Sequence, residues 1–303
     1  MVFLTHREDA EDHSLPGVEI RKYALHRIPS EHTHHYLLSL EDAVLRGQAV
    51  LRAIHSLVEE GFQPSFVLTH AGMGLGLFIK DLLPNALHVG YFEWYFQPST
   101  TKYLVEKYDL DVQLSTGLRN LTILQELERC DLAVVPTAWQ KKQFPTAYQS
   151  KVEVIFDGID LSYFHPESHN TIDQRKAIVV HNRDSHEAFE IPAGKRLISY
   201  ATRGMEPVRG FPEFMRALPD LTKRFDDLYV VIAGADRRAY SYDAPSHGGS
   251  WKEHLLNELC EKLPQDRILF TGLLNYEDYR SLLWRSDLHC YFTKPYVTSW
   301  SLF

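Results

Sequence analysis

The sequence has few cysteines, few methionines and no long apolar run. Its 303 residues include three cysteines, Cys130, Cys260 and Cys290, and four methionines. Three scattered thiols exclude a disulfide framework and a structural zinc site, and they fit a reducing compartment. The longest apolar run, Ala71 to Ile79, is nine residues with three glycines, against the ~20 that a membrane-spanning helix needs. His6, Arg7, Glu8 and Asp9 follow Met1 almost at once, so no secretory leader is expected. Basic charge is not in surplus either: 32 Lys and Arg against 40 Asp and Glu leave a net charge of −8. Nonspecific nucleic-acid binding is therefore not expected, although local basic pockets could still hold an anionic ligand. No P-loop, nucleophile elbow or His-Glu-x-x-His is present. A soluble, cytoplasmic protein is the expectation.

The 44% apolar and 24% charged residues are those of an ordinary globular chain, and the length suggests two domains. Short apolar strands alternate with amphipathic helices, which predicts parallel sheets covered by helices. In the first half the strands are expected at 2–5, 18–21, 66–69, 87–91, 132–135 and 152–155. One helix is expected to start at Ser39 with Asp42 completing a capping box, and a second to carry Leu118, Leu121, Leu124 and Leu127. After a polar stretch, strands are expected at 197–200, 228–233, 268–270 and 288–291, with helices at 211–225, 251–263 and 276–285. The expected organisation is an N-terminal domain over 1–165, a connection over 166–195 and a C-terminal domain over 196–303.

Three constellations could carry chemistry. Thr69-His70-Ala71-Gly72-Met73-Gly74-Leu75-Gly76 joins a strand to a helix, where glycines let a ligand approach backbone N–H groups. Leu77 stands where a dinucleotide fingerprint needs its third glycine. His70 on this rim could meet a substrate hydroxyl, or it could be structural. Tyr91-Phe92-Glu93-Trp94-Tyr95-Phe96 ends the next strand; rings beside a carboxylate suit a polyhydroxylated ligand, while Phe92 and Phe96 also read as core. In the second half, Arg203 and Arg209 lie six apart on Thr202-Arg203-Gly204-Met205-Glu206-Pro207-Val208-Arg209-Gly210. Two guanidinium forks there could converge on a diphosphate, or pair with Glu206 and Glu213. Asp109-Leu110-Asp111 has the Asp-x-Asp form of some metal–nucleotide sites but reads as a solvated turn. His32, His34 and His35 lack a second ligand cluster, and no metal site is expected.

Taken in order, these segments resemble the family 4 retaining glycosyltransferases. His70-Ala71-Gly72 resembles the acceptor-side histidine loop, and Asp131 to Gln140 the strand-to-helix turn near the end of the first domain. Phe156-Asp157-Gly158-Ile159-Asp160 is similar to the segment leading to the interdomain crossing. Arg203 to Arg209-Gly210 is similar to the diphosphate clamp, with Arg in place of Lys. Ala233-Gly234-Ala235, Phe270-Thr271-Gly272-Leu273 and Ser286-Asp287-Leu288 follow in the nucleotide-binding half.

The resemblance implies a GT-B-like α/β fold, two Rossmann-like parallel-sheet domains facing a cleft, both incomplete. It implies sugar transfer with retention from a nucleotide-diphosphate donor to a saccharide or lipid-linked acceptor, without metal or other cofactor. His70, Arg203 and Arg209 would be catalytic. The donor would meet Arg203, Arg209, Gly234, Gly272, Leu273, Tyr296, Ser299, Trp300 and Ser301; the acceptor would meet Gly72, Gly74 and Glu93. A polysaccharide or cell-envelope product at the inner face of a membrane, with peripheral membrane contact, would suit such a family.

The sequence also departs from the pattern. Tyr296 stands where the family has the first of two donor-side glutamates, and the second would fall one residue past Phe303. Met1 enters at what resembles the second strand. A shortened enzyme is one expectation, and a non-catalytic remnant that only binds sugar or nucleotide is the alternative. Another GT-B enzyme, an epimerase or phosphorylase, is a third.

Overall fold

Short apolar strands joined by helices pair in parallel, because each helix returns the chain to the edge from which it left. The computed structural model describes residues 1–10, 15–166, 175–241, 245–299 and 301. It divides into two units, one of Met1–Thr101 with Tyr108–Asp157 and one of Lys102–Lys107 with Gly158–Phe303. Each unit holds a four-stranded parallel sheet, which is the α/β class expected from the sequence. Among the described residues no helix is long and apolar enough to cross a membrane.

In the first unit β1 (Val2–Thr5) pairs in parallel with β2 (Glu19–Lys22), and α1 (Leu38–Glu59) follows. Then come β3 (Phe66–His70), α2 (Ile79–Leu82), β4 (Leu87–Tyr91), α3 (Pro98–Thr101), α4 (Leu110–Arg129), β5 (Leu132–Val135), α5 (Ala138–Lys141) and β6 (Val152–Val154). The sheet order is β3-β4-β5-β6, all parallel. The α1 face that turns inward carries Ala43, Gly47, Val50, Ile54 and Leu57, a spacing of three and four that lays one stripe along the core.

Two expectations about these helices are corrected. α1 begins at Leu38, with no side chain capping it, and Ser39 lies inside the first turn. Asp42 is drawn instead to Arg46 one turn on, at 2.7 Å, so no capping box forms. α4 carries the four expected leucines, but they do not all turn inward. Leu121 is exposed, and the face turned inward is Thr116, Asn120, Ile123, Glu126 and Leu127. Two of its polar members hold neighbouring backbone: Asn120 bonds both the N–H and the C=O of Phe96, each at 2.9 Å, and Glu126 the glycine turn after β3, while the Thr116 hydroxyl bonds the Val112 carbonyl of its own helix. Asp109, of the Asp-x-Asp pair, caps α4 by accepting from the Val112 N–H.

The second unit opens with an antiparallel hairpin, β7 (Ile178–His181) and β8 (Ala188–Ile191). Its buried Val180 and Ile191 pack with Leu197, Val231 and Leu282, so the described part of the polar stretch 166–195 contributes to this unit's core. β9 (Arg196–Gly204), α6 (Phe211–Arg224), β10 (Leu228–Ala235), α7 (Trp251–Leu259), β11 (Ile268–Gly272), α8 (Tyr276–Arg285) and β12 (Leu288–Cys290) follow, with sheet order β11-β10-β9-β12. Tyr200, Phe211, Phe214, Met215 and Leu218 are almost fully buried on one side of the sheet. Each such side chain contributes ~1.5–3 kcal/mol of burial. α7 stops at Leu259, short of the expected Leu263, and bonds from Lys262 and Leu263 back to Leu259 carry the chain toward Pro264. β9 runs longer than expected because β10 stays beside it as far as the Ala235↔Gly204 pair. That extension puts Arg203 on the strand rather than in a loop.

Candidate functional site

The residues expected to meet an acceptor gather at the C-terminal ends of β3 and β4. His70 is the last residue of β3, and Glu93 lies two residues past β4. The two are half-exposed, and His70 Nε2 stands 3.6 Å from Glu93 Oε2, an ionic contact rather than a hydrogen bond. Glu93 raises the His70 pKa above the ordinary imidazole value, against the pull of burial. The Tyr91 ring lies 5.4 Å from that of His70, and its hydroxyl donates to Asp157 at 2.7 Å. The Glu93 carbonyl accepts from Gln140 Nε2 at 2.7 Å. Phe92 is core, edge-on to Phe144, whereas Phe96 is only partly buried.

The glycine turn after His70 is shaped from inside. Gly72 and Gly74 have φ of +91° and +86°, conformations glycine adopts without penalty. A Cβ on Gly74 would come within 2.0 Å of the Ala43 carbonyl of α1. The N–H groups of Gly72 and Gly76 both donate to the Glu126 carboxylate, which is 1% exposed. Gly76 also faces the buried pair His88 and Thr69, whose Nε2 and hydroxyl lie 2.9 Å apart. Burial pushes Glu126 up to about 7, against the turn's N–H donors, and pushes His88 down to about 4. Thus the turn's N–H groups at Gly72 and Gly76 already have a protein carboxyl group as partner.

The two arginines expected to meet the donor lie at the end of β9 and just past it. Arg203 is exposed, and its carbonyl accepts from Arg237 Nε at 3.4 Å. Glu206, fully buried, accepts the N–H groups of Ala239, Tyr240 and Ser241 at 2.9–3.2 Å. Pro207–Arg209 form a short 3-10 turn, and Gly210 at φ +72° passes so close to Phe292 that a Cβ would meet its carbonyl at 2.5 Å. Arg209 is 6% exposed. Its guanidinium carbon lies 4.5 Å from the Tyr240 ring centroid, and Nη1 donates to Thr293 Oγ1 at 3.3 Å. Its Nε is buried and has no hydrogen-bond partner among the described residues.

The pairing of the arginines with Glu206 and Glu213 does not form. Glu206 is occupied by backbone, and Glu213 pairs with Lys294 at 2.9 Å. Among the described residues neither Arg203 nor Arg209 has a carboxylate within ion-pair distance.

The remaining donor-side expectations fall as follows. Tyr296 is buried and meets Tyr240 edge-on at 5.7 Å, which links it to Arg209 through one ring. Gly234 crosses β9 closely, since a Cβ would sit 2.0 Å from the Thr202 carbonyl. Gly272 has φ +66°, and a Cβ there would meet Asn182 Nδ2 at 2.2 Å. The Leu273 carbonyl accepts from the Arg183 N–H at 2.6 Å. The hairpin turn therefore lies against the end of β11. The Ser299 N–H donates to Tyr291 Oη at 3.0 Å, and its hydroxyl lies 3.1 Å from Ser301 Oγ. Trp300 lies outside the described residues. The sequence reading missed Glu126, His88 and Tyr240. A charge at an inward-spaced position of α4 marks Glu126; nothing in the loop around Tyr240 marks it.

Two solved structures similar to the chain illustrate the fold. Against sucrose-phosphate synthase from Thermosynechococcus elongatus the TM-score is 0.57 at 12% identity, covering 90% of this chain and 64% of that one. Against TarM it is 0.50 at 11% identity, covering 80% and 39%. The chain thus spans less than two thirds of the length of either, and at such identity the likeness shows the fold, that of GT-B glycosyltransferases. No curated protein matches the sequence. Residues 1–184, more than half of the 303, match the glycosyl transferase family 4 group, and the chain belongs to that family.

Proposed function

We propose that the protein transfers a sugar, with retention at the anomeric carbon, from a nucleotide-diphosphate donor to a saccharide or lipid-linked acceptor. Guanidinium groups take the part a metal ion plays elsewhere. The observation that carries this reading is Arg209, a buried cation that no described carboxylate neutralises. Burying an unpaired charge is destabilising, and a diphosphate arriving at Arg209 and the exposed Arg203 supplies the missing anion. Each charge-assisted bond is worth ~1.5–3 kcal/mol. As the sugar–phosphate bond breaks, charge grows on the leaving diphosphate, and a cation already held out of water stabilises it without reorganising. Glu206 fixes the Tyr240 segment on which Arg209 rests, and so presets the guanidinium.

On the other side of the reaction, His70 beside Glu93 is suited to hold an acceptor hydroxyl, with the carboxylate keeping the ring oriented. A lipid-linked acceptor would bring the protein to the inner face of a membrane. The test is release of nucleoside diphosphate from UDP-, ADP- and GDP-sugars, with and without saccharide acceptors. Release from one donor class, stimulated by acceptor and reduced about 100-fold in Arg209→Ala, is expected for loss of one or two such bonds. Donor binding without release would support the alternative, a binding protein without catalysis.

A further inference from the structure

We infer that Glu126 is a positioning residue for the acceptor-side turn: its buried carboxylate takes the place of an external anion and fixes the Gly72–Gly76 backbone beside His70. The inference rests on the proposed acceptor role of His70 and extends it to a residue on a different element. Three observations lead to it. Glu126 projects from the inward face of α4, among Thr116, Asn120, Ile123 and Leu127, where a charge has no packing value. Its two oxygens divide between two turn amides, one to Gly72 and one to Gly76 at 2.7 Å. The turn has no slack on its other side, because Gly74 presses on the Ala43 backbone and Gly47 of α1 faces the Gly74 carbonyl, to which a Cβ would come within 2.6 Å. The turn is therefore clamped between α1 and one carboxylate.

His70 begins this turn and is faced by two acids, Glu93 from the segment after β4 and Glu126 from α4, each of which favours its protonated form. Glu126 thus sets both the place of the turn and part of the charge on the histidine. The geometry separates these effects. Glutamine keeps one acceptor oxygen but turns a donor toward the second amide, so Glu126→Gln loses one turn bond and the charge. Aspartate keeps the charge but is one methylene too short to reach both amides.

The experiment follows the Gly72 and Gly76 amides by hydrogen exchange and the His70 ring by NMR titration, in the full chain. In Glu126→Gln, exchange of at least one of the two amides should rise about tenfold or more relative to core amides, as expected for a lost bond. The His70 titration midpoint should also fall. In Glu126→Asp the exchange should rise while the His70 midpoint stays near that of the wild type. Unchanged exchange of both amides in both variants would overturn the inference. With an acceptor in hand, the KM for acceptor should rise in Glu126→Gln while donor affinity stays unchanged; a parallel loss of donor affinity would also overturn it. If the wild-type protein transfers no sugar, the proposed function fails, yet the exchange and titration results still decide the role of Glu126.

Discussion

Arg209 rests on the ring of Tyr240, 4.5 Å from its centroid, and the backbone of Tyr240 is held in turn by Glu206, three residues before Arg209. The cation and its platform are thus tied to one short segment following β9. A planar guanidinium on an aromatic face still directs its N–H groups outward in its own plane; here Nη1 donates to Thr293, and Nε is buried with no partner among the described residues.

Removing the tie should loosen the platform. Glu206→Gln offers one acceptor oxygen to three N–H groups, and each buried donor left without a partner costs about 1–3 kcal/mol. Urea unfolding should show a loss of that size, and nucleoside diphosphate affinity should fall although Glu206 lies beneath the binding edge. Affinity equal to that of the wild type would separate Glu206 from the site.

Two glycines of similar φ provide a packing test. Gly74 has φ +86° and Gly158 φ +84°. An added Cβ overlaps the Ala43 backbone at Gly74 and meets nothing within 4 Å at Gly158. Gly158→Ala should cost about 1–2 kcal/mol for the left-handed backbone alone. Gly74→Ala must also displace α1, and should cost about 3 kcal/mol or more. Equal losses in thermal or urea unfolding would contradict the close approach of the turn to α1.

The buried pair Glu126 and His88 should leave opposite marks on stability against pH. The folded protein holds the Glu126 proton up to about 7, against 4.5 for the free group, so its stabilising share is full below 4.5 and lost as pH rises to about 7. His88 is pushed from 6.5 to about 4, so its share is full above 6.5 and lost as pH falls to about 4. Each is worth about 3 kcal/mol across its window, and in the wild type the two slopes largely cancel. In His88→Gln the stability should fall as pH rises through this range; in Glu126→Gln it should rise. Urea unfolding from pH 4.5 to 7.5 measures both, and slopes of the same sign in the two variants would contradict the assignment.

Much of the fold was legible because parallel α/β sequences write their strands as short apolar runs. β4 and β5 fall on the expected residues, Leu87–Tyr91 and Leu132–Val135. What was not legible depends on partners distant in sequence. Arg203 moved onto a strand because β10 continues beside β9. Of the four leucines on α4 Leu127 is buried and Leu121 exposed, because the inward face also carries residues that hold backbone, Asn120 and Glu126. His70 and Glu93 could be read from their places after strands, and the structure brings them within 3.6 Å. Tyr240 gave no signal, since an aromatic in a loop becomes a platform only when a buried carboxylate fixes its backbone.

The proposed donor site stands or falls with Arg209, the buried cation to which a diphosphate would bind. Calorimetric titration of UDP, ADP and GDP into the wild type, Arg209→Lys and Arg209→Ala tests this most directly. At least one nucleoside diphosphate should bind, weaker in Arg209→Lys and about 10- to 100-fold weaker in Arg209→Ala, in keeping with one or two charge-assisted bonds. Binding of none of the three, or equal binding by wild type and Arg209→Ala, would contradict the proposed site.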